Sequence, residues 1–157
     1  MTTRKILLLA AAFGIGLFLF GCASAPVKPG TGYTPAIGEK AAKTAVSMIG
    51  RPYKYRGDSP EGFDCSGLVR YSYLAAGLEV PHSTKKLKNL SRPIGLKKVR
   101  RGDLLFFKEN GKKYSHVGIY LGNSLFVHAP TTGQKVRKDS LSNPYWKKSF
   151  IEARRFN

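Results

Sequence analysis

Ser115-His116-Val117-Gly118-Ile119-Tyr120-Leu121-Gly122-Asn123-Ser124-Leu125-Phe126-Val127-His128-Ala129 is the stretch on which the fold turns. Residues 116–121 and 125–129 are rich in β-branched, aliphatic and aromatic side chains, and the short turn Gly122-Asn123-Ser124 separates them. Such a pattern reads as a β-hairpin, and hairpins build antiparallel sheets. His116 and His128 are separated by an even number of positions, so both fall on one face of the sheet when no bulge intervenes.

Working outward, residues 103–107 read as a further strand and 150–154 as a closing one. Upstream the period changes. From Glu39 onward, Ala42, Ala45, Val46 and Ile49 recur at helical spacing until Gly50 and Pro52 end the pattern. A second helix is expected from Cys65 to Ala76, with Leu68, Val69, Tyr73 and Ala76 on one face, Asp64 before it as a cap and Gly77 after it. Residues 85–98 are a basic stretch without a clear period. Helices first and short strands after imply an α+β domain, its N-terminal helices packed on an antiparallel sheet.

The first 38 residues read differently. Arg4 and Lys5 precede fifteen uncharged residues, 6–20, which is the layout of a secretory signal and short for a bilayer span. Leu19-Phe20-Gly21-Cys22 resembles the lipobox of bacterial lipoproteins, which implies lipidation of Cys22. Residues 22–38, with Pro26, Pro29, Gly30, Gly32 and Pro35, read as a tether, leaving 39–157 as the domain. The expected location is the cell envelope, lipid-anchored, on the outer membrane facing the periplasm if the host has one.

The chain carries a formal net charge of +18. Such a field draws polyanions, and an exported chain would meet anionic envelope polymers and lipid head groups rather than nucleic acid.

The two cysteines are Cys22 and Cys65. With Cys22 lipidated, Cys65 has no intramolecular partner, and an unpaired thiol in an exported chain marks a candidate reactive group. At a helix start, the dipole and free N–H groups favour the thiolate. Cys65 reads either as a nucleophile or as a buried structural cysteine, and His116 either as its base or as a core histidine. His128 adds a group able to orient that base.

Four segments together resemble the NlpC-type cell-wall peptidases, the family named for NlpC and a sixty-kilodalton listerial protein. They are Phe63-Asp64-Cys65-Ser66-Gly67-Leu68-Val69, Arg101-Gly102-Asp103-Leu104-Leu105-Phe106-Phe107, Ser115-His116-Val117-Gly118-Ile119-Tyr120 and Phe126-Val127-His128-Ala129. The resemblance implies a papain-like domain in which Cys65 is the nucleophile, His116 the base and His128 its orienter. It also implies hydrolysis of amide bonds in peptidoglycan stem peptides without a cofactor. Arg51-Pro52-Tyr53 resembles the family's Pro-Tyr segment, which makes Tyr53 a candidate oxyanion donor. Asp64 and Ser66 line the substrate side in relatives and would bind a free amine, although Asp64 also reads as a plain helix cap. Where relatives often carry a glutamine this chain has Leu87, after Lys85 and Lys86, which implies an altered cleft wall. His82 is expected at the surface and uninvolved.

Two other readings stand beside this one. Cys65, His116 and His128 have side chains that suit zinc, but no Cys-x-x-Cys or His-Glu-x-x-His spacing is present, so no metal is expected. A non-catalytic wall-binding lipoprotein scaffold is the second.

Overall fold

The computed structural model describes residues 32–109 and 111–157. The proposed signal, Cys22 and the first part of the tether lie outside the described residues. Helix α1 (Pro35–Ser47) begins inside the segment read as tether and ahead of Glu39. The local chemistry explains this: the Thr34 side chain accepts from Ile37 N and Pro35 occupies the first turn. Gly38, Ala41, Ala42 and Ala45 are the buried face of α1.

A loop carrying the small hairpin β1 (Asp58–Ser59) and β2 (Gly62–Phe63) leads into α2 (Cys65–Ala75). Asp64 is the N-cap of α2, accepting from Gly67 N at 2.7 Å. Ala76 and Gly77 close the helix; Gly77 has φ +95°, and Leu78 N donates back to Tyr73 O at 2.9 Å. The basic stretch resolves into α3 (Thr84–Asn89), β3 (Ser91–Ile94) and a 3₁₀ turn (Leu96–Lys98). Leu87 is fully buried in the core, so it forms no cleft wall, while Lys85 and Lys86 face solvent.

The sheet comprises β3, β4 (Leu104–Glu109), β5 (Lys112–Gly122), β6 (Leu125–His128), β7 (Arg137–Ser140) and β8 (Phe150–Phe156). Its order is β3-β8-β4-β5-β6-β7, and every neighbouring pair is antiparallel. β5 and β6 are joined by the two-residue loop Asn123-Ser124, both at positive φ as a type I′ turn requires. The register Ile119↔Val127 and Tyr120↔Phe126 slips only at Gly122, beside the turn. That one-residue bulge, which the sequence reading excluded, is what sets His116 and His128 on one face. An unbulged two-residue turn would pair even with odd positions and turn them to opposite faces.

The sheet buries both faces. On one face Ala41, Ala42, Leu68, Val69, Tyr73 and Leu87 from the helices pack against Leu104, Phe106, Val117, Ile119 and Val127. On the other face Leu105, Phe107, Phe126 and Ala153 pack against Trp146 of α4 (Pro144–Ser149). The observed architecture is the expected α+β arrangement.

Candidate active site

Cys65 is the first residue of α2. Gly67, two residues in, explains how that helix start is seated: a Cβ there would run into the Gly57 carbonyl oxygen. The same oxygen accepts from Asp64 N at 2.9 Å, so the loop and the helix start are locked together.

The Cys65 thiol is held between the helix layer and strand β5. Thr84 Oγ1 lies 3.9 Å from Sγ. Burial, then the Asp64 charge, pushes the thiol up to about 11, against hydrogen bonding from the backbone of Val117, the Thr84 hydroxyl and the backbone of Ser66. Desolvation thus works against the helix start on which the sequence argument for an ionised thiol relied, and favours the protonated sulfur.

Val117 follows His116, whose side chain points to the sheet face opposite the helices. His116 and His128 are both buried, and His116 Nε2 lies 2.8 Å from His128 Nδ1. Gly118 makes the pairing possible, since a Cβ there would stand 2.7 Å from the Phe126 ring. Trp146 stacks on His116 at 5.5 Å between centroids and meets His128 edge-on at 4.8 Å. Phe107 and Phe126 complete this aromatic wall.

Burial, then the neighbouring His128 and Arg137, holds His116 well below its ordinary value. Burial likewise brings His128 down to about 4, with Asp139 opposing. Both imidazoles are neutral near pH 7.

Two acidic residues frame the pair, and the sequence reading had assigned neither. Asp139 Oδ2 lies 2.9 Å from His128 Nε2 and accepts from Arg137 Nε at 3.0 Å. Glu109 Oε2 lies 3.3 Å from His116 Nδ1, while its Oε1 accepts from the Tyr145 hydroxyl at 3.0 Å. Burial raises the Glu109 carboxyl against that hydrogen bond. A carboxylate beside Nδ1 favours the arrival of a proton there.

Tyr53 lies on the loop before α2, bridged to Phe63 two residues ahead of Cys65. Its backbone N donates to Gln134 O at 2.8 Å. Burial, then the charges of Cys65 and Asp64, raises the phenol, so it remains an O–H donor. Asp64 Oδ1 receives Gly67 N, the Ser66 hydroxyl at 3.0 Å and His82 Nε2 at 2.9 Å. The Ser66 hydroxyl is thus engaged with Asp64, and Ser66 is buried.

His82 corrects the expectation of an uninvolved surface residue. Its side chain is 24% exposed and sits between Asp64 and Asp58, whose Oδ2 is 3.8 Å from Nδ1. Among the described residues no group of three or more His, Cys, Asp or Glu side chains is arranged to hold a metal ion.

An α+β sheet-and-helix domain with a cysteine at a helix start and a histidine pair on adjacent strands defines the papain-like class. The NlpC/P60 family model matches residues 50–155, and the chain belongs to that family. It is 40% identical over 126 residues to the murein DD-endopeptidase MepH of Escherichia coli K12, covering 74% of this chain and 46% of MepH. It is 41% identical over 121 residues to the peptidoglycan DL-endopeptidase CwlO of Bacillus licheniformis, covering 71% of this chain and 26% of CwlO. The chain thus spans less than half the length of these two relatives. A solved Staphylococcus aureus protein of the NLP/P60 family, described as similar to lipoprotein, superimposes with a TM-score of 0.71 at 32% identity, covering 80% of this chain and 43% of that one.

Proposed function

We propose that the chain is a peptidoglycan endopeptidase that cleaves amide bonds in wall stem peptides or crosslinks through Cys65. The observation that carries this reading is the buried His116–His128 pair, 2.8 Å apart on β5 and β6, beside Val117, which lies in the core cluster that Cys65 packs against. The names of the relatives supply the substrate class.

In the proposed reaction His116 Nδ1, which shares no hydrogen bond with the thiol in the resting structure, closes on it when substrate binds. It accepts the Cys65 proton as sulfur attacks the peptide carbonyl and the C–S bond forms. Tyr53 donates to the developing oxyanion. The tetrahedral intermediate collapses to a thioester as the C–N bond breaks, and His116 returns its proton to the leaving amine. Water, deprotonated by His116, then attacks the thioester, and the C–S bond breaks to regenerate the thiol. Asp64, with Ser66 bonded to it, offers a carboxylate beside the nucleophile for a substrate amine.

The envelope assignment belongs to the same proposal. The uncharged run 6–20 and Leu19-Phe20-Gly21-Cys22 support export and lipidation at Cys22, and the +18 charge supports contact with anionic envelope polymers. Mass spectrometry of the mature N-terminus tests the lipid, and an unmodified Cys22 would overturn it. The activity is tested on purified sacculi: Cys65→Ala and His116→Ala should each abolish muropeptide release, and full release by either variant would falsify the mechanism.

A further inference from the structure

The hydrogen-bonded line from Arg137 to His116 has a direction, and that direction can be worked out. Strand register places its members. In β6 and β7 Phe126 faces Asp139 and His128 faces Arg137, so Arg137, Asp139, His128 and His116 share one face of the sheet. Along it run Arg137 Nε to Asp139 Oδ2 at 3.0 Å, Asp139 Oδ2 to His128 Nε2 at 2.9 Å, and His128 Nδ1 to His116 Nε2 at 2.8 Å.

Each neutral imidazole has one N–H and one bare nitrogen. Two arrangements of protons give the 2.8 Å contact between the rings one donor and one acceptor. In the first, His128 Nε2–H donates to Asp139, so His128 Nδ1 is bare and accepts from His116 Nε2–H. His116 Nδ1 is then bare. In the second, His128 Nδ1–H donates to His116 Nε2, so bare His128 Nε2 faces Asp139 at 2.9 Å. That contact would need a protonated Asp139. Burial raises the Asp139 carboxyl, but the hydrogen bonds and charges of His128 and Arg137 outweigh it and hold the carboxyl below its ordinary value. The second arrangement therefore sets acceptor against acceptor at 2.9 Å. The first does so only at the longer 3.3 Å from bare His116 Nδ1 to Glu109 Oε2, whose carboxyl burial raises toward its protonated, donating form, and the first is the one favoured.

We propose that Asp139, secured by Arg137, is a positioning residue that fixes the tautomer of His128 and through it bares Nδ1 of His116. This rests on the reading of His116 as the base, because Nδ1 is the nitrogen left to take the Cys65 proton. It makes a two-histidine line, ended by a carboxylate, do what one histidine and one carboxylate do in the Ser-His-Asp triad, where the carboxylate sets the imidazole tautomer.

The test uses the full chain with ¹⁵N-labelled histidine. Two-bond ¹H–¹⁵N spectra of the wild type should show both rings as Nε2–H tautomers. Asp139→Ala should move His128 toward the Nδ1–H form and lower kcat about 10- to 100-fold with KM unchanged, the usual scale for an outer partner of a functional histidine. Asp139→Asn, whose amide oxygen the Arg137 Nε–H donor draws to the position of Oδ2 beside His128 Nε2–H, should restore the wild-type tautomers and most of kcat. Wild-type tautomers and kcat in Asp139→Ala would overturn the proposal. So would an Asp139→Asn variant as damaged as Asp139→Ala in both readouts. An active His116→Ala variant would instead sink the reading of His116 as base, and it would do so whatever the spectra show.

Discussion

Removing the Arg155 guanidinium should cost the domain a large share of its stability while leaving the chemistry intact. Asp103 is fully buried, and its carboxylate accepts from Arg155 Nε at 2.6 Å, Arg155 Nη2 at 2.7 Å and Arg100 N at 2.7 Å. Arg155→Ala removes two of these three donors and the paired positive charge, leaving a carboxylate in a site with no exposure. Breaking a buried pair from one side costs about 3–5 kcal/mol. For a domain of this size each kcal/mol shifts Tm by about 3–5 °C, so the melt should fall by roughly 10–20 °C. Asp103→Asn, which retains an acceptor, should lose less. The assay is thermal unfolding followed by circular dichroism, with sacculus digestion at a temperature where the variant is still folded. Arg155 clamps β8 to the turn before β4 and bonds to neither Cys65 nor the histidine pair, so kcat should persist. A variant melting within ~3 °C of wild type would refute the reasoning, because the pair would then be worth no more than a surface salt bridge.

Three further outcomes follow from the site. With its thiol pushed up to about 11, Cys65 should react with iodoacetamide near pH 6 more slowly than an ordinary thiol and accelerate into the alkaline range. A rate that is flat from pH 6 to pH 9 would instead show a thiolate–imidazolium pair. Because His128 is depressed from 6.5 to about 4, the unfolded chain binds more protons than the folded one between those values. Stability should accordingly fall by about 3 kcal/mol as pH drops through that window. His128→Asn should shallow that part of the urea-midpoint profile, leaving the share of His116, which burial depresses as well; an unchanged slope would refute the His128 contribution. Tyr53→Phe should lower kcat about 100-fold if its hydroxyl serves the oxyanion, and a change below about threefold would return Tyr53 to a packing role.

The elements that bury an apolar face were legible in the sequence. The 116–129 hairpin and α2 announce themselves by period, and the cysteine and both histidines fell on those elements. Asp139 was not legible, because Arg137-Lys138-Asp139-Ser140 has no apolar alternation and is a strand only through its pairing with β6. Other misses left signals in the chain. Asn143-Pro144 is a cap followed by a first-turn proline and opens α4, which carries Trp146. Ser83 caps α3, yet the lysines around Leu87 conceal that helix's short buried side. His82 could not have been placed on Asp64 from its own neighbours, since that contact depends on how a loop meets α2.

The aromatic wall ties these observations to the chemistry. Trp146, Phe107 and Phe126 leave the histidine pair dry, and dryness is why both imidazoles rest neutral. On the helix side of the sheet, desolvation and the Asp64 charge favour the protonated form of Cys65. A resting enzyme with neutral sulfur and neutral imidazole separates no charge in a buried site, where separation is expensive. Charge then appears only as sulfur attacks, when the oxyanion and the imidazolium arise together. At that moment the Glu109 carboxylate, 3.3 Å from Nδ1, faces the new cation, and Asp139 supports it through His128. Interactions that strengthen only as the reaction proceeds lower its barrier rather than merely tightening binding. The two acids absent from the sequence reading are thus placed where they would act on the transition state, and the hydrophobic wall sets the low dielectric that gives them effect.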